Sequence, residues 1–284
     1  MAWSRVEGQN LSGDYYVTGD FRVGAGSADL TANGTIALGV NSTAQSIQDI
    51  ALGPNSTASG GWSSALGWGS NASGLASTAM STSAASGSID SVAIGYQAIA
   101  NQSYSMAIGR GSSTANDAGQ FSIAIGTYSA ASGNCTTAIG YYTSSSGNYS
   151  IAMGYYANAG ADNSIAIGSN VTTASYASLV VGQYNTSHAG QSNLTWVGSD
   201  DLFVLGNGQN STVPSDAFVI EKNGNVGINA GNVTLSNTLT VNGTVQINSA
   251  VGNSSVLLDN TGNFSSNRRQ GDISMSVFGN ITGD

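Results

Sequence analysis

The chain has 284 residues, yet only 7% are charged, and its net charge of −9 comes from 15 acidic and 6 basic side chains. Soluble globular domains carry roughly 25% charged residues, so solubility here rests on hydroxyls and amides. Nucleic-acid binding is disfavoured because the basic residues cluster nowhere beyond Arg268–Arg269. The single cysteine, Cys135, excludes an intrachain disulfide framework or a multi-cysteine metal site, and no apolar run is long enough to span a membrane. Disorder is a poor reading as well, because 40% of the residues are hydrophobic and recur on a fixed schedule.

In chain order, residues 1–32 open with Met1-Ala2-Trp3-Ser4-Arg5, which lacks the charged-then-apolar run of a secretory signal. The segment is expected to reach the outside by virion release, or to have lost a signal beforehand. Its stretch Asp14–Val23 reads as a strand, and the whole serves as an N-terminal attachment segment.

Residues 33–206 are dominated by a repeat. Ile36-Ala37-Leu38-Gly39 returns as Ile50-Ala51-Leu52-Gly53, and later versions include Val92-Ala93-Ile94-Gly95 and Ile165-Ala166-Ile167-Gly168. Successive blocks are 14 residues apart, except that Met106 and Ile123 are 17 apart. A surface loop within Gly111–Gln120 takes up that insertion. Fourteen residues suit two short strands and two tight turns, so each repeat reads as one coil of a β-solenoid. The second turn is marked by Gly60, Gly74, Gly87, Gly133, Gly147 and Gly160.

Alternation within the block sends its first and third residues to one face and the central Ala to the other. The expectation is that the aliphatic pair fills the coil interior against small residues such as Ser56 and Ala58 on the other strand. The Ala row would then face outward: Ala37, Ala51, Ala65, Ala93, Ala107, Ala124, Ala138, Ala152 and Ala166. Uniform Ala on an outer face predicts close approach of a symmetric partner, hence a trimer contact. The alternative is crowding inside a monomeric solenoid.

These blocks resemble the head repeats of trimeric autotransporter adhesins, a repeat also found in phage tail fibres. The resemblance covers about residues 33–206. It implies a left-handed parallel β-roll, assembled as a trimer and used for adhesion, with no catalytic residues and no cofactor. A heptad stalk and a membrane anchor are not evident, so the reading leans toward a virion tail or spike fibre that attaches to a host surface glycan or protein. The alternatives are a cell-surface adhesin or extracellular filament subunit, and a glycan-depolymerising tailspike.

Residues 207–284 lose the period and read as short strands with Asn-Gly turns, such as Leu239–Val245. They resemble the interwoven β-stems of fibres. Three features carry potential chemistry. Tyr128, Tyr142, Tyr156 and Tyr184 each follow a block Gly by two residues, so they should form a ladder that either contacts glycan or seals a coil edge. Asn-x-Ser/Thr sequons at Asn41, Asn55, Asn71, Asn134, Asn148 and Asn170 mark N-glycosylation or simply suit the turns. For a depolymerase the candidate carboxylates are Asp200, Asp201, Asp216 and Glu221. His188 and Cys135 stand several coils apart and form no catalytic pair.

Overall fold

The computed structural model describes residues 34–114 and 120–228, together with the backbone of the strand Phe21–Val23. Two compact units divide the chain at Gly231 and Asn232. The described residues all belong to the first unit; of the stem expected over 207–284, residues 229–284, including Leu239–Val245, lie outside them.

Every element among the described residues is a β-strand. Each coil contributes a front strand on the aliphatic block, such as Ile36–Leu38, and a two-residue rear strand, such as Thr43–Ala44. Front strands stack into one sheet of fifteen and rear strands into a second of ten. Pairing within the solenoid is parallel, with Ile36 on Ile50, Ala37 on Ala51 and Leu38 on Leu52. The longer coil leaves this register intact, since Met106 pairs with Ile123 and Ala107 with Ala124. Asp201–Asn207 is the last parallel rung, and Asp216–Glu221 and Val226–Ile228 then fold back antiparallel.

The close stacking explains the block Gly. At Gly53, φ is +127°, and a Cβ there would stand 2.6 Å from the Gly67 carbonyl oxygen. A side chain would meet both a backbone clash and an unfavourable dihedral.

The interior reverses the expected orientation of the block. Ala37, Ala51, Ala65, Ala93, Ala107, Ala124, Ala138, Ala152 and Ala166 are all 0% exposed within a single chain. They face rear-strand residues such as Ala44, Ala58 and Ala131, which are equally buried. The Ala row therefore packs inside its own coil and is unavailable to a partner chain. Its flanking residues, such as Ile36 and Leu38, lie on the outer face and are only half-buried. The physical reason is thickness: a coil with two short strands brings its sheets close together, and close packing selects Ala, Ser and Thr, with Val admitted only in the last coils at Val171, Val180 and Val204.

Buried hydroxyls in this narrow interior close the turns. Ser42 donates to the Gly39 carbonyl at 3.0 Å, Ser56 to Gly53 at 2.8 Å and Ser70 to Gly67 at 3.0 Å. Opposite turns are fastened the same way, with Ser91 donating to Ser88 O and Ser105 to Gln102 O, both at 2.6 Å. Serine in this chain is thus as much an interior residue as a surface one.

Candidate functional site

Two outer features of the solenoid stand apart from its hydroxyl-rich surface. The first is the outer face of the front sheet. It carries the flanking aliphatics of the blocks, of which Met80, Met106, Ile123, Met153 and Ile167 are between 36% and 41% exposed. The outer side of the rear sheet bears Thr43, Thr57, Asn71, Ser113, Ser144 and Thr172 instead. One side of the rod is therefore mainly apolar, broken by Ser64, Thr78 and Thr137, and the other mainly polar, with Ala85, Ile99 and Ala130 as its exceptions. An apolar strip of this extent is rare on a monomer and marks a surface that something covers.

The second feature is aromatic. Tyr128, Tyr142 and Tyr156 stack along one coil edge with ring centroids 4.8 and 5.0 Å apart. A second column, Tyr141 and Tyr155, stacks at 5.3 Å and meets the first edge-on, Tyr141 against Tyr142 and Tyr155 against Tyr156, at 4.7 Å in both cases. Sequence spacing placed the first column but missed the second, although Tyr141 and Tyr155 follow the block Gly directly and share its period. Tyr184 occupies the ladder position two coils beyond Tyr156, with Asn170 between them. Arg110 caps the other end, its guanidinium carbon 5.8 Å from the ring centroids of both Tyr96 and Tyr128. The Tyr156 hydroxyl ionises above the usual phenol range, first because neighbouring groups desolvate it and then because Tyr155, Tyr141 and Tyr142 would repel its charge.

Where the solenoid ends, the ionisable residues converge. His188 donates from Nδ1 to Asp201 Oδ2 at 2.7 Å, and its Nε2 lies 3.4 Å from Asp216 Oδ2. The Lys222 side chain is fully buried. Its ammonium bonds Ser175 Oγ at 2.7 Å, lies 3.9 Å from Asp200 Oδ2 and sits over the Trp196 ring at 5.2 Å. Burial pushes its pKa down, opposed by the charges of Asp200 and Asp201. Glu221 accepts from Asn223 and Asn225, and these bonds hold its pKa below the ordinary value. The candidate carboxylates thus have structural partners, although His188, Asp200, Asp201 and Glu221 do line one cleft of about 520 Å³. The Lys222 box escaped the sequence reading because Tyr176, Trp196 and Lys222 are far apart in the chain and share no period.

Comparison with known families bears directly on this geometry. The YadA head domain repeat matches residues 31–56, 44–70, 58–80, 85–112, 118–143 and 145–170. Over these stretches the chain is similar to the YadA head domain repeat. This is the head repeat of trimeric autotransporter adhesins, as the sequence blocks suggested. No curated protein matches the chain. The head solenoid continues past the matched region, since Leu179–Gln183 and Asp201–Asn207 add two further parallel rungs.

Within these head repeats the sequon asparagines fall at turns or bends, except Asn71, which lies in the rear strand Asn71–Ala72. Asn41, Asn55, Asn71 and Asn148 are exposed, while Asn134 and Asn170 are half-buried. Several have structural work. Asn134 Oδ1 accepts from Gln120 N at 2.9 Å, Asn148 Oδ1 from Asn134 N at 3.1 Å and Asp162 Oδ1 from Asn148 N at 2.7 Å. Asn41 likewise donates to Asn55 Oδ1 at 3.3 Å. Such side-chain ladders account for Asn at these turns through hydrogen bonding alone. Cys135 sits beside Asn134 in the same turn and His188 beyond the last regular coil, so the structure does not bring them together.

Proposed function

We propose that the chain is a homotrimeric attachment protein, exposed on an outer surface, whose three solenoids meet through their aliphatic front faces. The observation that carries this reading is the outward Ile, Leu, Val and Met strip set against an interior of Ala, Ser and Thr. Burying such a strip contributes about 25 cal/mol per Å² of apolar area removed from water, and closed rotational symmetry gives every copy the same cover. The trimer contact moves accordingly from the Ala row to the residues on either side of it. Similarity of the repeats to an adhesin head family supports the attachment role, and three copies of each surface feature would multiply weak contacts with a host glycan or protein.

Light scattering coupled to size exclusion tests the assembly. The expected mass is near three times 28.4 kDa; a single-chain mass for the unaltered protein overturns the trimer. Paired substitutions Ile94→Asn and Ile125→Asn, which leave the Ala interior intact, should shift the mass toward one chain.

The finer placement on a virion is read by immunogold microscopy. Label on particles supports the fibre, and label on cell envelopes supports the adhesin. We further take the chain to be non-enzymatic; release of reducing ends from host polysaccharide, lost on Asp201→Ala, would reverse that. Glycosylation at the exposed sequons is checked by the mass shift of native protein on enzymatic removal of N-linked glycans, and an unshifted mass removes it.

A further inference from the structure

The aromatic column along the coil edge is interrupted once, and the interruption has the dimensions of a ring. Tyr128, Tyr142 and Tyr156 occupy successive rungs, Asn170 the next and Tyr184 the one after. Two strand steps of ~4.8 Å put the Tyr156 and Tyr184 rungs roughly 10 Å apart, which is twice a stacking distance. The space between them is an open slot of about 400 Å³, lined by Tyr156, Tyr184, Asn170, Thr172, Asn185 and Ser187 among others. At the far end of the same edge, Arg110 lays its guanidinium 5.8 Å from the ring centroids of both Tyr96 and Tyr128. The chain thus packs a flat group on Tyr128 there, whereas beside Tyr156 it offers only the short amide of Asn170, which donates to Ser169 Oγ at 3.1 Å.

We infer that this slot binds one neutral pyranose ring of a surface glycan, stacked on Tyr156 and facing Tyr184. The chemistry of the walls selects that class. A pyranose presents C–H bonds on its faces, which suit the negative face of a phenol ring, and hydroxyls around its rim. The rim of the slot offers the amides of Asn170 and Asn185 and the hydroxyls of Thr172, Ser187 and Ser211. No charged side chain lines the slot, and the chain as a whole is acidic, so anionic sugars and phosphates find no partner there. Asn185 is already fixed, its Oδ1 accepting from Thr172 N at 2.8 Å and its Nδ2 donating to Thr172 O at 3.0 Å. That wall of the slot is therefore set before any ligand arrives. This inference rests on the attachment reading for its biological setting, but not for its chemistry.

The decisive variant fills the gap with the column's own residue. Asn170 has φ +51°, the same as Tyr142 and Tyr156, so Asn170→Tyr asks for a conformation that this chain already gives Tyr on two rungs and should continue the stack. The test uses the full chain from a host that adds no N-glycans. It is probed by saturation-transfer NMR with methyl β-D-galactopyranoside, methyl β-D-glucopyranoside and methyl α-D-mannopyranoside.

The expected result is transfer to the ring C–H protons of at least one glycoside, reduced by about tenfold or more in Asn170→Tyr, with mass and melting temperature maintained. Tyr184→Ser should weaken transfer independently. Equal transfer in Asn170→Tyr, transfer from none of the three glycosides, or preferential binding of p-cresol would each overturn the inference. Attachment of labelled trimer to host cells is scored separately. Attachment without glycoside transfer removes the slot and leaves the attachment role. Glycoside transfer without attachment removes that role and leaves the slot.

Discussion

The coils before residue 115 and those after residue 120 share an interior but differ at the first turn. In the earlier coils the front strand is three residues long, as in Ile50–Leu52, and the carbonyls of Gly39, Gly53, Gly67 and Gly109 accept from a serine three residues on, Ala84 and Ala98 standing at that place in the two coils between. In the later coils the front strand runs on for five residues, as in Ile123–Thr127 and Thr137–Tyr141, so Gly126 pairs with Gly140 in the ladder. The Gly carbonyl has then turned toward the next coil, and the hydroxyl three residues on loses its acceptor. Ser129 Oγ and Thr143 Oγ1 are buried without a partner, and the equivalent places in the next coils are held by Ala157 and Val171. The later coils gain two paired residues and a tyrosine column in exchange. Small changes at one turn thus convert a plain spacer coil into one that presents aromatic rings.

The largest expected effect tests what the two regions share. Ala65→Leu and Ala138→Leu each push a branched side chain into a fully buried interior, and each should cost about 3 kcal/mol or more, or prevent folding. Thermal melting followed by circular dichroism reads this, and a tolerated Leu at either site would restore the outward orientation of Ala.

Next comes the contrast at the turn. Ser56→Ala should lose about 1 kcal/mol with its hydrogen bond, whereas Thr143→Val, which removes an unpartnered hydroxyl, should be neutral or stabilising. Urea titration of the two variants separates them, and equal losses would erase the distinction between the regions.

A smaller gain is expected at Ser81, which holds φ +108° where neighbouring coils have Gly. Ser81→Gly should raise stability by roughly 0.5–1 kcal/mol, visible as a higher melting temperature. An unchanged or lower value would show that this coil has relaxed around its serine.

The smallest effect lies past the last coil. Asn225 and Asn223 hold the Glu221 pKa below its ordinary 4.5, so the native carboxyl sheds its proton more readily than the unfolded one. Its contribution is fully present above pH 4.5 and is lost as pH falls through the lowered native value. Glu221→Gln should flatten that part of the stability profile; an unaltered slope would assign the acid response to other carboxylates.

Much of this was legible in one dimension. The 14-residue spacing dictated two strands and two turns per coil, the in-register parallel ladder and the recurrence of tyrosine on one edge, because periodic residues in a solenoid must stack. Which face of the block turned inward was not legible. Alternation assigns residues to two faces but carries no label for the inside, and the larger side chains were the natural choice for a core. Only the tertiary structure decided it. Each coil is too thin for the larger aliphatic pair of the block, so Ala took most of the interior, Val entered only in the last coils, and the aliphatics were left on the outside for another surface to cover. The clasp around His188 and the box around Lys222 were likewise hidden, since Asp201 and Asp216 reach His188, and Ser175 and Asp200 reach Lys222, across chain separations that follow no period.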